Sequence, residues 1–281
     1  MSRPFLKMNG LGNDFVVVEA RSAPFAPSVA QARAIADRAS GVGCDQIIAI
    51  EPSRRADAFM RIWNADGGEV AACGNAARCV GWLLMRATGR EEARLETAER
   101  VLEVRRAGDC AITVDMGRPG LDWRDIPLAE AMDTRGIELQ VGPIEAPVLH
   151  TPGCVSFGNP HVVFFVADAR GAPVRQVGPM IEHHGLFPER ANVGFAQIIS
   201  GERIRLKVWE RGVGETSACG TGACAAVVAA HRRGLAGRKV TVELDGGELA
   251  IDWRASDGHV LMTGPVAVEF TGRLPAVEVR A

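Results

Sequence analysis

An internal repeat is the strongest constraint in this sequence of 281 residues. The stretch "GEVAACGNAARCVGW" superposes without a gap on "GETSACGTGACAAVV", which begins 146 positions later. The same offset carries Asn13 onto Asn159 far upstream and Pro119 onto Pro265 downstream. One offset that persists over this length indicates two homologous domains rather than a short-period solenoid.

The repeat also suggests the domain boundaries. Domain one is predicted to cover 1–119 and domain two 120–264, with the boundary near Pro119-Gly120. The last segment, after Pro265, has no counterpart at the start of domain two. We therefore expect 265–281 to return to domain one as a strand.

Both halves show the same order of predicted elements. "FVVVEA" and "HVVFFVA" are typical of strands rich in branched apolar residues. Helices are predicted over roughly 28–39 and 174–184, and a second helix follows each cysteine, over roughly 74–87 and 220–233. "VTVELDGGELAIDW" predicts a hairpin. We expect a mixed α/β fold of two homologous barrel-like domains, each wrapping a central helix.

Composition excludes several classes of function. The chain has 32 basic and 34 acidic residues, so charge favours neither nucleic acid nor an anionic membrane as a partner. The N-terminus lacks the apolar core of a signal peptide, and no apolar run is long enough to span a membrane. Seven is an odd number of cysteines, so they cannot all pair within one chain, and without an export signal a disulfide framework is not expected. Their spacing does not match that of zinc ligands. The chain has only three lysines, so a pyridoxal cofactor would have few residues to attach to. Together these features predict a soluble cytoplasmic protein.

Each half places a cysteine directly before a predicted helix. Cys73 precedes Gly-Asn-Ala and Cys219 precedes Gly-Thr-Gly, first turns that let a ligand approach the backbone closely. Unpaired N–H groups at a helix start bind anions such as a carboxylate. The same dipole lowers a thiol pKa from about 8.5 towards neutral or below. We therefore predict a carboxylate cradle and an activated thiol in each half.

The other five cysteines are predicted to be small residues of the core. They are Cys44, Cys79, Cys110, Cys154 and Cys224.

Polar residues recur at equivalent positions of the two halves. The pairs are Asn13 with Asn159, Gln46 with Asn192, Asn64 with Glu210, and Asn75 with Thr221. Taken singly, each is typical of a turn or a helix cap. Four equivalent pairs predict a cleft that is lined from both sides. Two thiols facing such a cleft suit the inversion of a carbon stereocentre, because one thiolate removes a proton and the other thiol returns one to the opposite face.

The stretches "ACGNAARC", "WERGVGETSACGTGACA", "MNGLGNDF" and "GVGCDQ" closely resemble the diaminopimelate epimerase family, and the likeness runs essentially from end to end. The resemblance implies two similar α/β halves with the active site between them. It implies a homodimer that interconverts LL- and meso-diaminopimelate for lysine and cell-wall synthesis without pyridoxal phosphate or metal. A family tyrosine at the dimer contact is replaced here by Phe270.

The resemblance also implies a role for particular residues. Cys73 and Cys219 match the catalytic pair, and His161 and Glu210 match residues that tune the cysteine pKa values. The positions matching the carboxylate cradle are Gly74, Asn75, Gly220 and Thr221, and those matching the remaining substrate contacts are Asn13, Gln46, Asn64, Asn159, Asn192, Glu210 and Arg211.

Three other functions remain as alternatives. A proline or hydroxyproline epimerase could share the fold, but Arg211, Asn64 and Asn192 suit a second carboxylate that proline lacks. A thiol redox protein would ordinarily show closely spaced cysteines such as C-x-x-C. A non-catalytic amino-acid-binding protein would have no use for two cysteines at equivalent helix starts.

Overall fold

This computed structural model describes residues 2–71 and 73–274, which divide into two compact units. Unit 1 comprises the described residues up to Asp115 and those from Thr263 onward, and unit 2 runs from Met116 to Met262. Residues 275–281 of the predicted returning strand lie outside the described residues. Each helix in the described part of the chain is too short or too polar to cross a membrane.

The described residues form four helices and nineteen strands, which confirms the mixed α/β class. The first part of the chain carries β1 (Arg3–Asn9), β2 (Asp14–Glu19), α1 (Val29–Ala36), β3 (Gln46–Glu51), β4 (Ala58–Asn64), β5 (Glu69–Val70), α2 (Gly74–Thr88), β6 (Glu92–Glu96), β7 (Val101–Gly108) and β8 (Ala111–Asp115). The chain continues with β9 (Gln140–Val141), β10 (Leu149–His150), β11 (Gly153–Ser156), β12 (Pro160–Phe165), α3 (Val174–Glu182), β13 (Asn192–Ser200), β14 (Arg203–Glu210), β15 (Gly214–Thr216), α4 (Gly220–Arg232), β16 (Lys239–Leu244), β17 (Gly247–Trp253), β18 (Val260–Pro265) and β19 (Ala267–Leu274).

The sheet of unit 1 runs in the order β19, β1, β2, β3, β4, β6, β7, β8. The pairs β2–β3 and β4–β6 are parallel, and the other pairs are antiparallel. The backbone N–H of Val266, just before β19, donates to the carbonyl of Cys110, just before β8, at 2.9 Å. The sheet therefore curls back towards its own first strand.

Helix α2 lies inside this curled sheet, against β6, β7 and β8. It is buried around its circumference, as expected for a helix in a core rather than on a surface. Helix α1 covers another part of the sheet, where Ala32 and Ile35 join Val16 and Val18 in one apolar cluster. Strand β2 is thus buried on both faces, which explains its continuous apolar sequence.

Unit 2 repeats this plan. Its strands pair in the order β11, β12, β13, β14, β16, β17, with β12–β13 and β14–β16 parallel. Helix α4 contacts all six strands, and its residues 222–230 are buried. Gly120 bridges Ser156 of β11, while Met116 and Gly117 bond to Val260 of β18, so the segment 116–120 links these two strands. A barrel-like sheet around a central helix is confirmed in each unit.

Helix α1 is shorter than the predicted 28–39. Ser28 and Gln31 form a capping box that starts the helix at Val29, close to the predicted start. At the other end, the carboxylate of Asp37 accepts hydrogen bonds from the N–H groups of Ala39 and Ser40. This local bonding offers the backbone an alternative to another helical turn, and the helix ends at residue 36.

Candidate active site

Both cysteines of the repeat occupy the position immediately before a buried helix. Cys73 is the N-cap of α2 and Cys219 the N-cap of α4, each with extended backbone angles. Cys73 is half-buried, whereas Cys219 is 3% exposed. The chain thus holds two thiols at equivalent helix starts, each in its own unit.

Each thiol lies next to a group of backbone donors. The first N–H groups of a helix have no partner within it and carry the positive end of its dipole. Gly74 and Asn75 supply them in α2, and Gly220 and Thr221 supply them in α4. Because glycine comes first in both helices, no Cβ screens these donors. Each helix start can hold a carboxylate beside its thiol.

The pKa of Cys219 is raised well above its ordinary value, so the predicted lowering by the helix dipole is wrong for this thiol. Burial is the largest cause and the negative charge of Glu210 is the second. Hydrogen bonds from Thr221 and the N–H of Gly222 oppose this rise without cancelling it. Cys219 is therefore a protonated thiol at neutral pH, prepared to donate rather than to accept a proton.

A histidine belongs to the same group of residues. His161 is 2% exposed, and its ring Nε2 lies 3.2 Å from the side-chain oxygen of Asn159. Asn159 in turn approaches the hydroxyl of Thr221 at 3.5 Å. Burial, with the charge of Arg211, lowers the pKa of His161 to about 3. The imidazole is therefore neutral under physiological conditions.

Arg211 lies in the turn between β14 and β15, directly after Glu210. Its backbone N–H donates to the side-chain oxygen of Asn192 at 3.0 Å, and its guanidinium donates to the carbonyl of Glu189 at 2.8 Å. The side-chain nitrogen of Asn192 donates to the carbonyl of Pro160 at 2.9 Å. Asn192 is 3% exposed, so its contacts suit holding Arg211 in place.

The predicted residues of unit 1 make side-chain hydrogen bonds near the ends of strands. Gln46 donates to Asn64 at 3.0 Å across β3 and β4. The side-chain oxygen of Gln46, Oε1, is buried and has no hydrogen-bond partner among the described residues. Asn13 donates to the carboxylate of Asp45 at 2.7 Å. One buried acceptor, Oε1 of Gln46, is thus left for a polar ligand.

A strained turn brings Asn13 towards the start of α2. Leu11 and Gly12 both have positive φ, of 68° and 80°, which non-glycine residues seldom adopt. A Cβ added to Gly10 would lie 3.0 Å from the backbone oxygen of Asn75, a contact so tight that glycine favours this close approach. Sparsely populated backbone angles of this kind cluster at functional sites.

The structure also shows residues that the sequence did not identify. Asp45 holds Asn13, and Arg38 bonds to Asp45 and Asp14 at the same place. The fully buried Arg78 donates to the side-chain oxygen of Asn75 at 3.0 Å, which turns the amide N–H groups of Asn75 away from it. The motif "GVGCDQ" contains Asp45, and its position directly before Gln46 was the available signal.

The remaining cysteines mostly follow the prediction. Cys44, Cys79, Cys154 and Cys224 are buried. Cys110 is exposed, so its predicted burial is wrong. It lies in the two-residue connection between β7 and β8, where a hairpin tip reaches solvent.

In comparison with known proteins, both halves of the chain match one protein family. The family model described as diaminopimelate epimerase matches residues 5–121 and again 153–269. A diaminopimelate epimerase of Phenylobacterium zucineum is 64% identical over 275 residues, covering 98% of this chain and 99% of the relative. One of Caulobacter sp. (strain K31) is 59% identical over 284 residues, covering 98% of each.

A solved structure has the same fold at low sequence identity. The hydroxyproline epimerase of Agrobacterium vitis superposes with a TM-score of 0.68 at 17% identity, covering 97% of this chain and 92% of that chain. At this identity the likeness concerns the fold alone, and the choice of substrate has to be argued from the side chains.

Proposed function

The chain belongs to the diaminopimelate epimerase family, and on that premise we propose that it interconverts LL- and meso-2,6-diaminopimelate as a step of lysine biosynthesis. The observation that carries this proposal is a thiol at the N-cap of each central helix, at repeat-equivalent positions. We propose that Cys73 and Cys219 are the catalytic residues and act on opposite faces of one α-carbon.

The proposed reaction exchanges one proton on the α-carbon for another and changes nothing else in the substrate but the configuration of that carbon. A thiolate removes the α-proton, and the electron pair left on carbon is delocalised into the adjacent carboxylate. The second thiol then donates its proton to the opposite face, which inverts the centre and leaves a thiolate on that side. The helix-start N–H groups of Gly74, Asn75, Gly220 and Thr221 favour the extra negative charge that the carboxylate gains. Acid and base exchange roles in the reverse direction.

The environment of Cys219 supports its role as the donor in the resting protein. Burial and the charge of Glu210 keep it protonated. Once it has given up its proton, the hydroxyl of Thr221 at 3.7 Å and the N–H of Gly222 can stabilise the thiolate. We propose that Glu210 and the neutral His161 tune this thiol pKa.

Recognition of the second amino-acid end separates this substrate from proline. We propose that Arg211 binds the distal carboxylate, since a guanidinium offers two parallel N–H donors. Asn192 contributes by holding Arg211. Asn13, Gln46, Asn64 and Asn159 supply the remaining polar contacts. Proline has no distal carboxylate or amine for such groups to bind.

Solvent-proton incorporation tests the proposal. Wild-type protein incubated with LL-diaminopimelate in deuterated water should place deuterium at the inverted carbon, whereas a redox or purely binding protein should place none. Cys73→Ala, Cys219→Ala and the double variant should lose activity to a similar level, because paired groups are strongly non-additive. A folded single variant that keeps most of the wild-type rate would exclude the two-thiol mechanism.

We further propose a cytoplasmic homodimer. Strand β19 exposes Val268 and Phe270. Phe270 is 48% exposed, and its ring packs edge-to-face against that of Phe5, with 6.0 Å between the ring centroids. An exposed aromatic on a strand is typical of a contact with another protein. Light scattering should give the molar mass of a dimer for the wild type and a lower average molar mass for Phe270→Glu, in which the dimer is weaker. A monomeric wild type would contradict this proposal.

A further inference from the structure

Glu182 is a buried carboxylate at an unfavourable position. It is the last residue of α3 and is only 3% exposed. The carboxyl end of a helix carries a partial negative charge, which disfavours an acidic side chain there. Removing a carboxylate from water is also costly unless hydrogen bonds compensate. The partners of Glu182 therefore have to account for its presence.

Two hydrogen bonds occupy its two oxygens. Oε2 accepts from the indole Nε1–H of Trp209 at 2.7 Å, and Oε1 accepts from the backbone N–H of Gly212 at 2.9 Å. The guanidinium of Arg190 lies 3.6 Å from Oε1 and supplies a compensating positive charge. The carboxylate thus joins the end of α3 to β14, through Trp209, and to the turn between β14 and β15, through Gly212.

The two donors lie on either side of Glu210 and Arg211 in the sequence. The ring of Trp209 packs tightly against α3, because a Cβ added to Gly178 would come within 2.5 Å of it. Gly212 has a φ of 74°, which glycine adopts without strain. Helix α3 therefore holds the turn on both sides of the two residues proposed to face the substrate.

We infer that Glu182 is a positioning residue for recognition of the distal carboxylate, an inference that rests on the proposed function. Its two hydrogen bonds hold the β14–β15 turn so that the guanidinium of Arg211 keeps one orientation. Glu210 has its own hydrogen bond from Thr216, so the thiol environment depends less on Glu182. The effect of losing Glu182 is expected mainly on substrate binding.

Glu182→Gln is the main variant, because its NH2 group replaces one of the two accepting oxygens and so faces either the indole N–H of Trp209 or the N–H of Gly212 with a second donor. We expect KM for diaminopimelate to rise about tenfold with kcat within about twofold, the pattern for a lost binding interaction. Glu215→Gln is the matched control, since Glu215 belongs to the same hairpin but pairs with Arg175 and Lys207. Its KM should stay within about twofold of wild type.

A double-mutant cycle with Arg211→Ala distinguishes positioning from a general structural role. If Glu182 acts through Arg211, adding Glu182→Gln to Arg211→Ala should change kcat/KM by less than about twofold. A full tenfold loss in the Arg211→Ala background, or an unchanged KM in the single variant, would overturn the inference. Should Glu182→Gln fail to fold, Trp209→Phe removes one of the two donors and should show the same non-additivity with a smaller rise in KM.

Hydrogen exchange separates this inference from the proposed function. The amide of Gly212 should be protected in wild type and in Glu215→Gln, and should exchange faster in Glu182→Gln. A wild-type protein without epimerase activity would reject the proposed function, whereas an equally protected Gly212 amide in Glu182→Gln would reject the positioning role whatever the activity.

Discussion

Gly222 packs directly against the thiol of Cys219. A Cβ added there would lie 3.1 Å from the sulfur and 3.3 Å from both Cys219 Cβ and a methyl group of Val208. The repeat places Ala76 at the equivalent position beside Cys73. At these equivalent positions, the residue in the helix that follows Cys73 therefore has a Cβ, whereas the residue in the helix that follows Cys219 has none. Gly222→Ala would make the second helix start resemble the first.

The expected effect on stability is small. Contacts near 3.1 Å are shorter than the optimum of about 3.5 to 4.0 Å, so the sulfur has to move by about half an ångström. Overpacking of this kind costs about 1 to 3 kcal/mol, while alanine in place of glycine returns about 1 kcal/mol of helix propensity. The variant should therefore lose no more than about 2 kcal/mol of unfolding free energy and remain folded.

The expected effect on catalysis is larger. A misplacement of 1 Å can cost about a hundredfold in rate, so half that distance should cost about tenfold in kcat. Deuterium incorporation and chemical denaturation of Gly222→Ala measure the two effects separately. Ala76→Gly is the control: it should lose about 1 kcal/mol of stability and keep most of its activity. Gly222→Ala with an unchanged kcat would refute the argument that thiol position limits the rate.

Three further predictions concern the buried residues His161 and Lys7 and the guanidinium of Arg211. Because the folded pKa of His161 is about 3 and its ordinary value is 6.5, stability should fall as pH drops through this window; His161→Gln should remove up to about 1.4 kcal/mol per pH unit of that slope in denaturant titrations. Lys7, 4% exposed, donates to Asp14 at 2.7 Å, so Lys7→Met should cost about 3 kcal/mol by calorimetry, and a cost below about 1 kcal/mol would show that the pair contributes little. Arg211→Lys keeps the charge but loses the paired donors, so kcat/KM should fall about tenfold or more in steady-state assays, and an unchanged value would remove the distal role of Arg211.

Local features of the chain were predictable because their causes are local. Helices α2 and α4 begin at Gly74 and Gly220, where the sequence predicted them, since small apolar residues follow a residue that can take extended angles. The end of α1, which comes earlier than predicted, also has a local cause, because the carboxylate of Asp37 accepts a hydrogen bond from the backbone N–H of Ala39. Periodicity and capping act within a few residues, so they can be identified from the sequence.

The repeat made it possible to predict more of the site than local sequence patterns usually allow. Because one offset relates Cys73 to Cys219 and Asn75 to Thr221, the sequence by itself determined that two equivalent helix starts carry thiols and polar groups. It also determined the mixed α/β class and the membership of the family. These conclusions depend on which residues occur at which spacing, and a linear sequence contains that information in full.

Tertiary structure alone decided the chemical state of those groups. The helix dipole favours a low thiol pKa at Cys219, yet burial and the charge of Glu210 outweigh it. Glu182 reaches Trp209 and Gly212, which are 27 and 30 positions away, and no local pattern marks it. Burial and charge depend on segments that are remote in sequence and adjacent only after folding. For this reason the positions of the thiols could be predicted from the sequence, whereas the protonation of Cys219 and the anchoring of the Arg211 turn required the fold.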